Sequence, residues 1–237
     1  MLSLLISCQK QEDNRCLKTI GNYKTIVRDV SNFDTLEVYG KIEYIIVQDS
    51  IEKVEITAGE NMLEFITTEN INGRLIIHNK NMCNFLRSYE KNKIKIKIHF
   101  KHVSQLAYSG ALSLTNLDTI TQTNFRLDCW SGNGKINLTL NNYYFETYLH
   151  SGAADLYLNG NSEVRNLYSG NSSFCYETNF STNLYIVNHN GTGDYYIGNC
   201  INADILIQKL GNVYYKGNPN FINKKIEGKG KLIKDDA

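Results

Sequence analysis

The chain has 237 residues, of which 42% are hydrophobic and 21% charged, and a formal net charge of +1. That length and apolar content suit one large all-β domain and exclude global disorder, and the near-neutral balance excludes a nucleic-acid binder that works by neutralising phosphates. Sixteen tyrosines beside a single proline, Pro219, favour strands and turns over helices and leave no proline-rich linker.

Residues 1–24 read as a leader and a polar tether, and residues 25–237 as the folded domain. Met1 to Cys8 is a short apolar run whose end, Leu5-Ile6-Ser7-Cys8, resembles a bacterial lipobox. Cleavage before Cys8 would let its thiol carry a diacylglycerol anchor. The run lacks a basic n-region and is too short for a full signal peptide, so either the true start lies upstream or the match is accidental. Lys10 followed by Glu12 and Asp13 is similar to a surface-export signal of Gram-negative lipoproteins. Lipidation of Cys8 leaves Cys16, Cys83, Cys129, Cys175 and Cys200, none at the close-paired spacing of a zinc site. In an oxidising compartment Cys16 and Cys83 are candidates for a disulfide that clips the arm to the next segment. Cys129 reads as a buried small hydrophobe.

From Thr25 to Phe100 the apolar residues alternate with polar ones, as in half-buried strands. Phe33, Leu36 and Val38 are followed by Ile42, Tyr44 and Ile46, then by Val54 and Ile56. Asn72-Gly73 between two such runs signals a hairpin, because both residues tolerate positive φ. In Ile94-Lys95-Ile96-Lys97-Ile98 the alternation describes one strand with solvated lysines rather than a basic patch.

From Leu106 onward one phrase recurs: Tyr108-Ser109-Gly110, Trp130-Ser131-Gly132, His150-Ser151-Gly152, Tyr168-Ser169-Gly170, His189-Asn190-Gly191 and, degraded, Lys209-Leu210-Gly211. Its glycines advance by 22, 20, 18, 21 and 20 residues. A period of about 20 residues with strand-like flanks marks a solenoid in which each repeat is one coil. Strands such as Ile136-Leu138-Leu140 and Phe174-Tyr176 follow the glycines, others precede them, and a polar turn such as Asn159-Gly160-Asn161-Ser162 closes the coil. The reading is a single-stranded parallel β-helix, right-handed by the crossover rule, with a more irregular β-rich N-terminal part. Ile226 and Leu232-Ile233, amid the lysines of the final segment, are expected to cap the last coil.

The chain also resembles the head GIN domain family of auto-transporter adhesins. The resemblance rests on Phe33-Asp34-Thr35-Leu36-Glu37-Val38, Glu60-Asn61-Met62-Leu63, Asn72-Gly73-Arg74-Leu75-Ile76-Ile77, the closing Gly211-Asn212-Val213-Tyr214-Tyr215-Lys216-Gly217-Asn218-Pro219, and Gly193-Asp194 within a coil. It spans about Thr25 to Leu232. It implies a β-helix on secreted or lipid-anchored bacterial proteins, with no catalytic motif attached.

Stacked coils place equivalent residues in columns about 4.8 Å apart. Tyr108, Trp130, His150, Tyr168 and His189, each two residues before its glycine, are therefore expected to form an outward aromatic ribbon suited to the apolar faces of sugars; the alternative is rings that pack on one another. Repetition makes the Ser-Gly pair a corner element, since a catalytic residue is needed once and a corner in every turn. Asp155 and Asp194 are two coils apart, roughly 9–10 Å, at the edge of the spacing an inverting glycosidase uses, and as turn acids they are expected to bond backbone instead. The expectation is a non-enzymatic protein of the bacterial outer membrane, without cofactor or metal, whose partner is a glycan or another envelope protein. The alternatives are a polysaccharide hydrolase or lyase, for which Asp155, Asp194 and His150 would have to line one groove, and an assembly role for an edge coil near Gly211–Gly217.

Overall fold

The structure, a computed structural model, describes residues 19–81 and 93–235. Cys8, Cys16 and Cys83 lie outside the described residues, so the lipid and disulfide expectations fall outside them too. Among the described residues eighteen strands and one helical turn follow one another. The N-terminal part comprises β1 (Tyr23–Asp29), β2 (Thr35–Gly40), β3 (Glu43–Gln48), β4 (Lys53–Gly59), α1 (Glu60–Leu63), β5 (Ile66–Ile71), β6 (Arg74–Asn79) and β7 (Lys95–Phe100). The repeats supply β8 (Gln105–Gly110), β9 (Leu114–Asn116), β10 (Ile120–Cys129), β11 (Lys135–Leu149), β12 (Asp155–Ser169) and β13 (Cys175–His189). Then come β14 (Tyr195–Ile197), β15 (Cys200–Ile207), β16 (Val213–Tyr215), β17 (Phe221–Ile226) and β18 (Leu232–Lys234).

These strands wind into a parallel β-solenoid of about six turns. One sheet stacks β6, β2, β8, the C-terminal ends of β10 to β13, β15 and β17. The other stacks β7, β3, β9, the N-terminal ends of β11 to β13, β14, β16 and β18. Along each strand the residues alternate between interior and solvent, as the period-two pleat requires. The expected turn Asn159-Gly160-Asn161-Ser162 is not a break. It lies inside the continuous β12, which bends at Gly160 (φ +109°), where a side chain would collide with the Leu140 carbonyl.

The Ser-Gly corners need glycine chiefly for close approach. A Cβ on Gly110 or Gly132 would run into the Tyr108 ring, and Gly152, at φ +87°, also lies against the Gly132 backbone. Ser131 and Ser151 do meet at the corner: the Ser131 N–H donates to Ser151 Oγ at 3.0 Å.

Inside, the columns are mostly apolar, including Leu127, Leu167, Val187 and Ile205. Cys129 is buried as expected, between Tyr108 and Leu149. One column runs Phe125, Phe145, Arg165, Tyr185 and Ala203. Phe125 and Phe145 stack at 5.8 Å, and the Arg165 guanidinium lies 4.3 Å from the Phe145 ring. Arg165 is matched by Glu177, because a register shift after Tyr157 gives β13 an extra residue and turns Glu177 inward. Cys175 and Glu177 therefore face the interior of that coil, and Phe174 and Tyr176, the expected strand positions, face out. Arg165 donates through Nη2 (2.6 Å) and Nε (3.1 Å) to the two Glu177 oxygens, and the Tyr185 hydroxyl donates to Glu177 at 3.2 Å.

The two ends differ. At the N-terminal end the stack stops on antiparallel strands, β5 against β6 and β1 against β4, with Asn72 and Gly73 both at positive φ in the hairpin turn. Ile94, Ile96 and Ile98 are buried and the intervening lysines are not, as the alternation requires. At the other end Ile226 and Leu232 take inward positions above Ile207 and Val213, although Ile226 stays 44% exposed. The Gly211–Gly217 segment is not an edge, because β18 covers β16.

Arg165→Ala should destabilise the fold by about 3–5 kcal/mol in urea unfolding, because it strands the Glu177 carboxylate in the interior. Arg165→Phe combined with Glu177→Leu, which removes both charges and continues the phenylalanine column, should recover most of that loss. Equal losses from the single and double variants would show that packing volume, not the stranded charge, sets the effect.

Candidate functional site

The solvent face of the first sheet is read directly from the register. Gln105, Arg126, Glu146 and Asn166 form one column. Asp128, Tyr148 and Tyr168 form the next. One position further, past the paired residues Cys129 and Leu149, Trp130 stacks on His150 at 3.7 Å with the ring planes 11° apart. Tyr148 approaches both His150 (5.8 Å) and Tyr168 (6.1 Å), and His150 lies 6.3 Å from Tyr168. Trp130 is 52% exposed, the most open ring of the group.

The expected ribbon of five therefore divides. Trp130, His150 and Tyr168 come together on the outer face, whereas Tyr108 and His189 point inward and are fully buried. The register column through the corner is Tyr108, Cys129, Leu149, Ser169 and His189. The phrase keeps its spelling and slips by a residue against that column, and a one-residue slip reverses the direction of a side chain. Ser169, unlike Ser131 and Ser151, sits in that inward column itself, because the phrase steps back by two residues between His150 and Tyr168.

A charged network holds the outer cluster in place. Arg126 donates to Asp128 through Nε (2.6 Å) and Nη2 (2.9 Å), Gln105 donates to Asp128 at 2.8 Å, and His150 Nε2 lies 3.1 Å from the same carboxylate. Burial pushes the Asp128 carboxyl up, but the bonds from Arg126, His150 and Gln105 outweigh it and hold it below the usual carboxylate range. The Arg126 guanidinium sits 4.4 Å from the Tyr148 ring, and the Tyr148 hydroxyl donates to Glu146 at 3.1 Å. A groove of about 410 Å³ adjoins this cluster, lined by Ser104, Gln105, Asn124, Phe125, Arg126, Tyr144 and Glu146. The polar members of the cluster escape a search for the repeated phrase, since they lie two and four residues ahead of its aromatic residue.

The second sheet carries a different aromatic column. Tyr157, Tyr176, Tyr196 and Tyr214 stack at 4.7, 5.3 and 4.8 Å with nearly parallel rings. Their spacings of 19, 20 and 18 residues are visible in the sequence, but no shared phrase advertises them. Every inner ring of this stack is covered on both faces. Trp130, by contrast, has only His150 as a stacked partner among the described residues.

The acids do not assemble with His150. Asp155 accepts the Phe174 N–H at 3.1 Å and Asp194 the Asn212 N–H at 2.8 Å, both beside the second sheet, while His150 belongs to the first. Among the described residues there is no group of three or more His, Cys, Asp or Glu able to hold a metal ion, and no helix long and apolar enough to cross a membrane.

Residues 32–219 match the family described as putative auto-transporter adhesin, head GIN domain. Solved structures with the same fold include a putative adhesin from Bacteroides fragilis, 18% identical, with a TM-score of 0.80 over 90% of this chain and 97% of that one. A putative lipid binding protein from Parabacteroides distasonis is 19% identical, with a TM-score of 0.63 over 91% of this chain and 97% of that one. A putative adhesin from Parabacteroides merdae is 16% identical, with a TM-score of 0.59 over 91% and 98% of the two chains. No curated protein matches the sequence.

The inward His189 makes the fold acid-sensitive. It stacks on Tyr195 at 4.1 Å, and burial pushes its pKa down to about 4, only partly offset by Gly193 and Asp194. The unfolded chain protonates near 6.5, so as pH falls from there to about 4 it gains a proton that the folded chain refuses, and stability drops by about 3 kcal/mol. Urea unfolding across that window should show this component in the parent protein and lose it in His189→Phe. Identical pH slopes would place the acid sensitivity elsewhere.

Proposed function

The chain belongs to the head GIN domain family of putative auto-transporter adhesins, and from that premise we propose that it works by binding rather than by catalysis, as an envelope protein whose contact surface is the outer face of the first sheet. The observation that carries this reading is the cluster of Trp130, His150, Tyr148 and Tyr168 beside Arg126, Asp128 and Glu146. Aromatic faces ringed by satisfied, fixed polar groups suit glycans, which present apolar C–H faces and hydroxyl edges together. Asp155 and Asp194 lend no support to a hydrolase or lyase, since both are engaged with backbone N–H groups. The rigid solenoid would present this face at a bacterial surface, held by lipid on Cys8, in keeping with Leu5-Ile6-Ser7-Cys8.

On a glycan array the parent protein should retain specific glycans, and Trp130→Ala and Tyr168→Ala should each weaken retention by about tenfold. Retention unchanged in both variants, or absent from the parent, would remove this face as the contact surface. For the anchor, metabolic labelling with palmitate should mark the full chain and be lost in Cys8→Ala.

A further inference from the structure

The open face of Trp130 is one wall of a slot. On the solvent side of the first sheet, β8 presents Ala107 and Ser109, the smallest pair on that face, and Tyr39 of β2 stands directly beside Ser109 in the register. On the other side the pairing of Cys129 with Tyr108, continued by one residue, puts Trp130 beside Ser109. Each wall is backed from outside the slot. Tyr39 stacks on His78 at 4.9 Å with the rings 13° apart, and Trp130 stacks on His150 at 3.7 Å. The column His78, Tyr39, Ser109, Trp130, His150 is therefore an aromatic stack with its middle ring missing.

We propose that this gap is a subsite for a single neutral pyranose ring, clasped between Tyr39 and Trp130 above Ser109. The proposal deepens the glycan reading of the same face and rests on it. Two strand spacings put the walls about 9.5 Å apart. A flat base touching both faces at carbon contact distance needs only about 7 Å. A puckered saccharide, with hydrogens projecting from both faces, fills the wider interval.

The charges around the gap favour an uncharged ligand. Arg74 pairs with Glu37 at 3.1 Å, and the Tyr39 hydroxyl donates to Glu37 at 2.7 Å, which fixes that wall. Arg126 and His150 saturate Asp128 on the other. With each carboxylate matched by a guanidinium, an anionic sugar or nucleotide gains no net attraction. The Ser109 hydroxyl and the free capacity of Glu37 remain for sugar hydroxyls.

Trp130 is the sole tryptophan in the chain, so its emission reports on the slot directly. Titration with methyl glucopyranoside, galactopyranoside, mannopyranoside and N-acetylglucosaminide should give a saturable emission change with at least one of them, and a weaker one with glucuronate or adenosine. Tyr39→Ala should weaken that response by about five- to tenfold. Ser109→Phe, which supplies the missing ring from an outward-facing, half-buried strand position, should abolish it with the far-ultraviolet circular dichroism unchanged. Tyr214→Ala, on the opposite face, should leave it intact. No saturable response to any neutral pyranoside, an equal response in Ser109→Phe, or tighter binding of adenosine would overturn the subsite. If the glycan array still retained Ser109→Phe as well as the parent, the subsite alone would fall and the broader adhesive face would stand.

Discussion

The constraint on which everything else depends is the parallel hydrogen-bond ladder that binds each coil to the next. Each residue of a coil is tied to a residue about one repeat away, as Lys135 is to Asp155 and Tyr144 to Val164. Because the ladder is parallel, a residue turned inward in one coil lies over an inward residue of its neighbours. The interior is thus a set of columns, and a substitution is judged first against the residues above and below it. Arg165 shows how strict this is. It occupies an aromatic column and persists because the extra residue in β13 delivers Glu177 to meet it.

The same ladder leaves a problem at each end, where a strand has no further coil to pair with. At the N-terminal end the answer is a change of direction: antiparallel β1 and β5 close the stack, and β1 is largely exposed. At the other end the answer is charge. The apolar column through Val187 and Ile205 finishes on Lys224, an exposed lysine in an inward position. An inward charge on an edge strand discourages the addition of another strand.

The two outer faces carry aromatic columns of different character. The four tyrosines of the second sheet follow one another without interruption, so the inner rings, Tyr176 and Tyr196, spend both faces on their neighbours and the column acts as a brace. On the first sheet the column is interrupted at Ser109, and among the described residues Tyr39 and Trp130 each have a single stacked ring, on the side away from the interruption. A continuous stack stabilises; a stack with a gap can bind. That contrast, together with the fixed polar groups around Trp130, directs attention to the first face.

The sequence by itself determined the architecture. Its period of about 20 residues, the alternation within strands, the Asn72-Gly73 hairpin and the lysine–isoleucine strand all describe local geometry, and local geometry is dictated by nearest neighbours along the chain. The family resemblance, too, was legible in short runs such as Phe33 to Val38. What the sequence did not determine was which way the repeated aromatic residue points. Trp130, His150 and Tyr168 face solvent, while Tyr108 and His189 are buried. The glycine steps vary between 18 and 22 residues, and the ladder absorbs each difference at a corner or a bulge that has no local signature. Only the tertiary structure decides where the slip is taken up. The proximity of Tyr39 to Trp130, residues 91 positions apart in sequence, has the same origin: β8 returns to lie beside β2 after β3 to β7 and α1 have intervened, and no periodicity in the chain reports that return.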